Sequence, residues 1–147
     1  MKEQLLNKKI ALVPEDHQTH RKIVLELDHT YQALVINFSY GPQEVPTEQA
    51  KEYIREALPL YNLPETAVDE FLPLVNLITV SLSCESEYIG CRHNKETQQT
   101  IRIAPEQSSL GFIPHEIKAG VWEIQLNLHC VRSEVSVHLD VRGVLEA

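Results

Sequence analysis

Histidine supplies the first candidates for chemistry in this chain. Asp16, His17 and His20 form a D-H-x-x-H run. Two imidazoles three residues apart, beside a carboxylate, could bind a transition metal if they shared a helical turn. His129 and His138 fall on the polar side of two consecutive strand-like segments. Pairing those segments as a hairpin makes the two imidazoles diagonal neighbours, with Asp140 as a third donor. Two points weigh against both sets: the run precedes a strand rather than sitting in a helix, and imidazoles are common on polar surfaces. The expectation is therefore no metal and no cofactor, with His17, His20, His129 and His138 as the residues to watch.

Nucleophilic chemistry has one candidate. Cys91 is followed by Arg92 and His93, and basic neighbours lower a thiol pKa. No strand-to-helix turn positions it as a nucleophile, so it reads as structural. Cys84 and Cys130 fall on apolar faces and read as small core residues. Three cysteines without a CxxC spacing indicate neither a disulfide framework nor a zinc knuckle. Ser81, Ser83, Ser108 and Ser109 lie in no G-x-S-x-G elbow. Glu85, Glu87, Glu106, Glu116 and Glu123 show no spacing that marks an acid–base pair. Five glycines form no phosphate loop. Tyr31, Tyr61 and Tyr88 are the freer aromatic rings, whereas Trp122 belongs to an apolar face.

The elements that must position these residues are mostly strands. Trp122, Ile124, Leu126, Leu128 and Cys130 alternate with Glu123, Gln125, Asn127 and His129, the period of a half-buried strand. Val135, Val137, Leu139 and Val141 alternate with Ser136, His138, Asp140 and Arg142. Only Val131 to Glu134 lie between, so the two read as a terminal hairpin from Val121 to Gly143, with Glu123 facing Arg142. Similar alternation covers 23–28, 34–40 and 78–84, a shorter strand covers 100–104, and 9–13 adds an edge strand that Pro14 ends. Ala50, Tyr53, Ile54, Ala57 and Leu58 form one stripe of a helix over 47–58, capped by Thr47 and stopped by Pro59. A second short helix is expected over 65–72.

These elements predict a mainly β chain, an antiparallel β-sandwich of jelly-roll or immunoglobulin-like type. One domain spans 1–147, with a helical excursion over 43–74 capping the sandwich. At 147 residues, burial suffices for folding without a disulfide or metal. A net charge of −8 repels phosphate backbones and argues against nucleic acid. No membrane span is visible, and the N-terminus lacks the apolar run of a signal peptide, which points to the cytoplasm.

The segment Ser108 to Trp122 reads S-S-L-G-F-I-P-H-E-I-K-A-G-V-W. Pro114 keeps it extended and Gly120 permits a tight entry into the following strand. With Gly111, Phe112, Ile113, Pro114, Ile117, Ala119, Gly120 and Trp122, it resembles the β-sandwich domain that precedes the catalytic domain in PHP-type (polymerase and histidinol phosphatase) metal-dependent phosphoesterases. Asn76 to Leu82, Tyr88 to His93 and Glu15 to Tyr40 are similar to further parts of that domain. Cys84-Glu85 departs from the family's more open polar turn, and the resemblance leaves 43–74 uncovered. The metal-binding motifs of the catalytic domain are not in this sequence. The resemblance thus implies a fold and an accessory role, not phosphoesterase activity. The leading expectation is a non-catalytic binding or protein-interaction module, engaging a protein partner, itself, or a small polar ligand. The alternatives are a small metal-dependent hydrolase built on the histidines, and a structural homodimer formed through an edge of the terminal hairpin.

Overall fold

The computed structural model describes residues 1–92 and 95–145. It contains eight strands: β1 Lys2–Leu12, β2 Thr19–Leu27, β3 Ala33–Gly41, β4 Leu77–Cys84, β5 Glu87–Arg92, β6 Gln98–Ile103, β7 Gly120–Cys130 and β8 Val135–Val144. One α-helix, α1, spans Thr47–Ala57. Two 3₁₀ segments follow it, Leu58–Tyr61 and Glu65–Phe71. The helix begins directly after Pro46 without a side-chain cap, so Thr47 is its first residue rather than its cap.

The strands form two four-stranded antiparallel sheets, ordered β1-β8-β3-β6 and β2-β7-β4-β5. The pairing is nested. β4 pairs with β5, β3 with β6, β2 with β7 and β1 with β8. This is the winding of a jelly roll, one long folded ribbon rolled into two layers, and it excludes the immunoglobulin-like order. Alternation along each strand buries one face. Phe38, Ile36, Leu139 and Val141 of one sheet meet Trp122, Ile124, Leu126, Ile78 and Leu82 of the other in a single apolar cluster.

Nested winding overturns the terminal hairpin. β7 lies between β2 and β4, while β8 lies between β1 and β3. Glu123 faces Val24 and Ser83, and Arg142 faces Gln4 and Val35. The four residues from Val131 to Glu134 are a crossover between sheets. Buried Asn76 holds that crossover: its Oδ1 accepts the Arg132 N–H at 2.8 Å, and its Nδ2 donates to Ser133 Oγ at 2.9 Å. Since β7 and β8 are both interior strands, the expected homodimer through this hairpin has no edge to use.

The excursion carries the chain from β3 in one sheet to β4 in the other. Its ends are clamped by Val45 N to Leu74 O at 2.9 Å and Asn76 N to Gln43 O at 2.7 Å. It has a small core of its own, Ile54, Leu58, Ala67 and Val68. Helix α1 docks on the crossover, with Gln49 Nε2 donating to Arg132 O at 2.7 Å and the Arg132 guanidinium 4.5 Å from the Tyr53 ring centre.

A two-residue turn at Glu85–Ser86 closes the β4–β5 hairpin, and both residues have positive φ, as the mirror-image hairpin turns require. Glu85 is not a residue that favours this conformation, but it is tied to the start of β7. Its N–H donates to Val121 O at 2.9 Å, and its Oε1 accepts the Val121 N–H at 2.8 Å. Gly120 makes room for this contact. Its φ is +139°, and a Cβ there would lie 2.3 Å from Glu85 Oε1. Gly120→Ala should therefore cost about 1–3 kcal/mol in urea unfolding while leaving the β circular-dichroism spectrum intact. An unchanged midpoint would remove the clamp from this account.

Candidate functional site

The outer face of the β2-β7-β4-β5 sheet gathers several of the polar side chains singled out in the sequence. Cross-strand register sets His20 beside Asn127 and Asn127 beside Thr79. The next row sets Lys22, Gln125, Ser81 and Cys91 side by side. Asn127 is the hub and is only 8% exposed, although it lies on the sheet's outer side. Its Oδ1 accepts from Gln125 Nε2 at 2.8 Å and from His20 Nδ1 at 3.1 Å. Its Nδ2 donates to Thr79 Oγ1 and Ser81 Oγ, both at 3.2 Å. Thr79, 2% exposed, also shares a hydrogen bond of 2.9 Å between its Oγ1 and His129 Nε2. One amide has four hydrogen-bonding positions, and here all four are filled.

This saturation decides what the cluster can do. A catalytic base must reach a nucleophile, and a ligand must find unfilled donors or acceptors. The Cys91 sulfur sits 3.9 Å from Asn127 Nδ2, and among the described residues no imidazole is in hydrogen-bond contact with it. Arg92 turns its guanidinium to the carbonyls of Leu110 and Thr100. His93, the other basic neighbour named in the sequence, lies outside the described residues. Burial pushes the Cys84 and Cys130 thiols above their ordinary pKa, the direction that makes them less reactive. A shallow cleft of about 220 Å³ adjoins the network, lined by Gln18, Thr19, His20, Leu128 and His129.

The candidate metal ligands do not converge. His17 and His20 belong to different interactions: the first turns to Val131, the second to Asn127. Asp16 bonds the Val13 N–H at 2.9 Å and pairs with Arg21 at 3.4 Å. His129 and His138 stand on opposite sheets and are not diagonal neighbours. His138 Nε2 is 2.7 Å from Asn7 Oδ1, on the far side of the sandwich. Among the described residues, no three His, Cys, Asp or Glu side chains form a group able to hold a metal ion.

Aromatic placement also differs from expectation in one case. Tyr31 is buried, with its ring over Gly143, where a Cβ would lie 2.4 Å from the ring. Tyr61 and Tyr88 are exposed. Trp122 is fully buried; its Nε1 donates to Lys118 O at 3.0 Å and its ring meets His115 edge-on.

The excursion holds a different kind of site. Ile54, Ala57, Leu58, Tyr61, Leu63, Phe71 and Leu74 line an apolar groove of about 400 Å³. Tyr61 is 74% exposed and Phe71 47% exposed, and Leu60 beside them is 80% exposed. The α1 stripe is core, as its spacing predicts, with Ala50, Ile54 and Leu58 buried. The exposed wall of the groove comes instead from Tyr61, Leu63 and Phe71, in the segments that follow the helix. The excursion's charges are unbalanced, with seven carboxylates and two cations between 43 and 74. Both cations are engaged internally, Lys51 with Asp69 at 3.9 Å and Arg55 with Glu65 at 3.7 Å.

Compared with models of known protein families the chain matches none, and no curated protein matches it. Among the described residues, no helix is long and apolar enough to cross a membrane.

His17 has a structural duty with a pH signature. Its Nδ1 accepts the Val131 N–H at 3.0 Å, which requires a neutral ring. Burial, and then the nearby Arg132 charge, hold the imidazole below its ordinary pKa of 6.5. Its contribution to stability is thus complete above pH 6.5 and is lost as pH falls through the lower folded value. His17→Leu leaves the Val131 N–H unpaired and should cost about 1–3 kcal/mol at neutral pH. It should also flatten the fall in urea midpoint on acidification. An undiminished fall in the variant would assign that pH dependence to other groups.

Proposed function

We propose that this protein is a non-catalytic interaction module that binds a segment of a partner protein in the groove of its helical excursion. The observation that carries the reading is the groove itself. An apolar, concave surface with exposed Tyr61 and Phe71 stands on a domain whose other polar clusters are internally paired. Aromatic and aliphatic side chains around a concavity supply the anchors of protein recognition. Charge indicates the partner. Glu44, Glu48, Glu52, Glu56 and Glu70 leave the excursion with a net negative charge once the two internal ion pairs are formed. Such a field steers cationic partners and disfavours acidic ones. The occupant is therefore an amphipathic segment whose apolar residues are flanked by Lys or Arg.

The stretch from Gly111 to Trp122 supports a relation to the accessory domain of PHP-type phosphoesterases, and an accessory role in the cytoplasm agrees with it. On this reading the excursion, which that resemblance does not cover, is the part that sets this protein's own partner.

Fluorescence anisotropy with two synthetic helical peptides tests the proposal. They share one apolar stripe and carry either Lys or Glu flanks. The Lys-flanked peptide should bind and the Glu-flanked one should not. Phe71→Ala and Tyr61→Ala should each weaken binding about tenfold, and both positions are exposed enough to leave the fold intact. Chemical-shift mapping should place the changes within 54–74. No binding of either peptide, or binding mapped elsewhere, would overturn the reading.

A further inference from the structure

An open sheet edge presents unpaired backbone groups that can recruit another strand. The sheets end at β1 and β6 in one layer and at β2 and β5 in the other. The segment between β6 and β7 covers two of these edges. On β5, Cys91 N donates to Gly111 O at 3.2 Å and Ile113 N to Ile89 O at 3.0 Å. On β6, Ser109 N donates to Arg102 O at 2.8 Å, and Ser109 Oγ accepts from Arg102 N at 2.9 Å. β1 carries Lys2, Lys8 and Lys9 and breaks its register between Gln4 and Leu6. Lysines and bulges are the usual means of blunting an edge.

Among the described residues, β2 has neither a covering segment nor a register break. It runs nine residues in unbroken register with β7, and among the described residues no backbone hydrogen bond joins its other side. Its outward side chains are His20, Lys22, Val24 and Glu26, followed by Asp28. Read along the strand, they run basic, basic, apolar, acidic, acidic. That order is complementary to itself when reversed. Antiparallel pairing with a second copy about a two-fold axis at Val24 sets Lys22 against Glu26 and His20 against Asp28. Val24, 59% exposed, then meets Val24. Moving the axis to Ile23 or Leu25 puts Val24 opposite a charge. Moving it between residues puts core-facing side chains opposite outward ones, which a sheet cannot accommodate.

We infer that the protein forms a two-fold dimer through antiparallel β2–β2 pairing centred on Val24. The two β2-β7-β4-β5 sheets then become one continuous eight-stranded sheet. This interface is separate from the groove of the excursion, and isologous pairing is the commonest symmetry of homodimers.

Sedimentation equilibrium of the full chain, from micromolar to millimolar, tests it. Wild type should show a concentration-dependent dimer that weakens with salt. Lys22→Glu places Glu against Glu26 twice per dimer, and Glu26→Lys places Lys against Lys22 twice. Each should raise the dissociation constant about tenfold or more. The double variant K22E/E26K restores opposite charges and should return to near the wild-type value. It lacks the Lys22–Glu123 pair of the wild type, so recovery reports the contact between copies. Thermal melts by circular dichroism establish that all the variants fold. A wild-type monomer at millimolar concentration would overturn the inference. So would a dimer indifferent to both single changes, or one not recovered in the double variant.

Discussion

Each layer of this sandwich depends on pairing between strands far apart in sequence, and among the described residues the only adjacent pair is β4 with β5. The turn that joins them, Glu85–Ser86, is therefore the inner end of the whole winding. Its two left-handed residues are sustained by the hydrogen bonds of Glu85 to Val121. Those bonds also set where β7 starts, and β7 is paired on both sides. Trp122 follows immediately and is fully buried in the core. A polar contact at the rim thus sets the register of the largest buried side chain.

The same division between rim and centre governs the polar surface. Asn127 and Thr79 are buried on a face that alternation makes external, because neighbouring side chains close over them. Full pairing makes such a network rigid rather than reactive, since a buried amide with every position satisfied has nothing to offer an incoming group. The excursion is the reverse case. Its two 3₁₀ segments carry more apolar side chains than its four-residue core can cover, and Leu60, Tyr61 and Phe71 face solvent.

Much of this was legible in the residues. Alternation located six strands and the faces they bury, and the 3.6-residue period located α1. Alternation has period two and identifies a face, but it does not identify a partner, so β7 and β8 passed for a hairpin. The information that separates them lies in Asn76, which is remote in sequence and holds the crossover. β5 was missed because Gly90 and the bulge between Leu82 and Ser83 interrupt its pattern. β1 read as short because Leu5 and Leu6 are adjacent at its register break. The histidines suggested a shared site only through the mistaken hairpin. The groove was hidden because its exposed wall comes from Tyr61, Leu63 and Phe71, whose spacing forms no stripe.

The outermost pair of the winding has a mechanical meaning. Lys2 faces Val144, and Leu145 N donates to Met1 O at 2.8 Å, so the start of β1 and the end of β8 lie at the same side. A pull applied between the ends loads this ladder one hydrogen bond at a time, as a zipper, rather than all at once, as in shear. β1 peels from β8 first, and the layer beneath is reached only afterwards. The β1–β8 pair closes the sandwich, yet it is there that force opens it most easily.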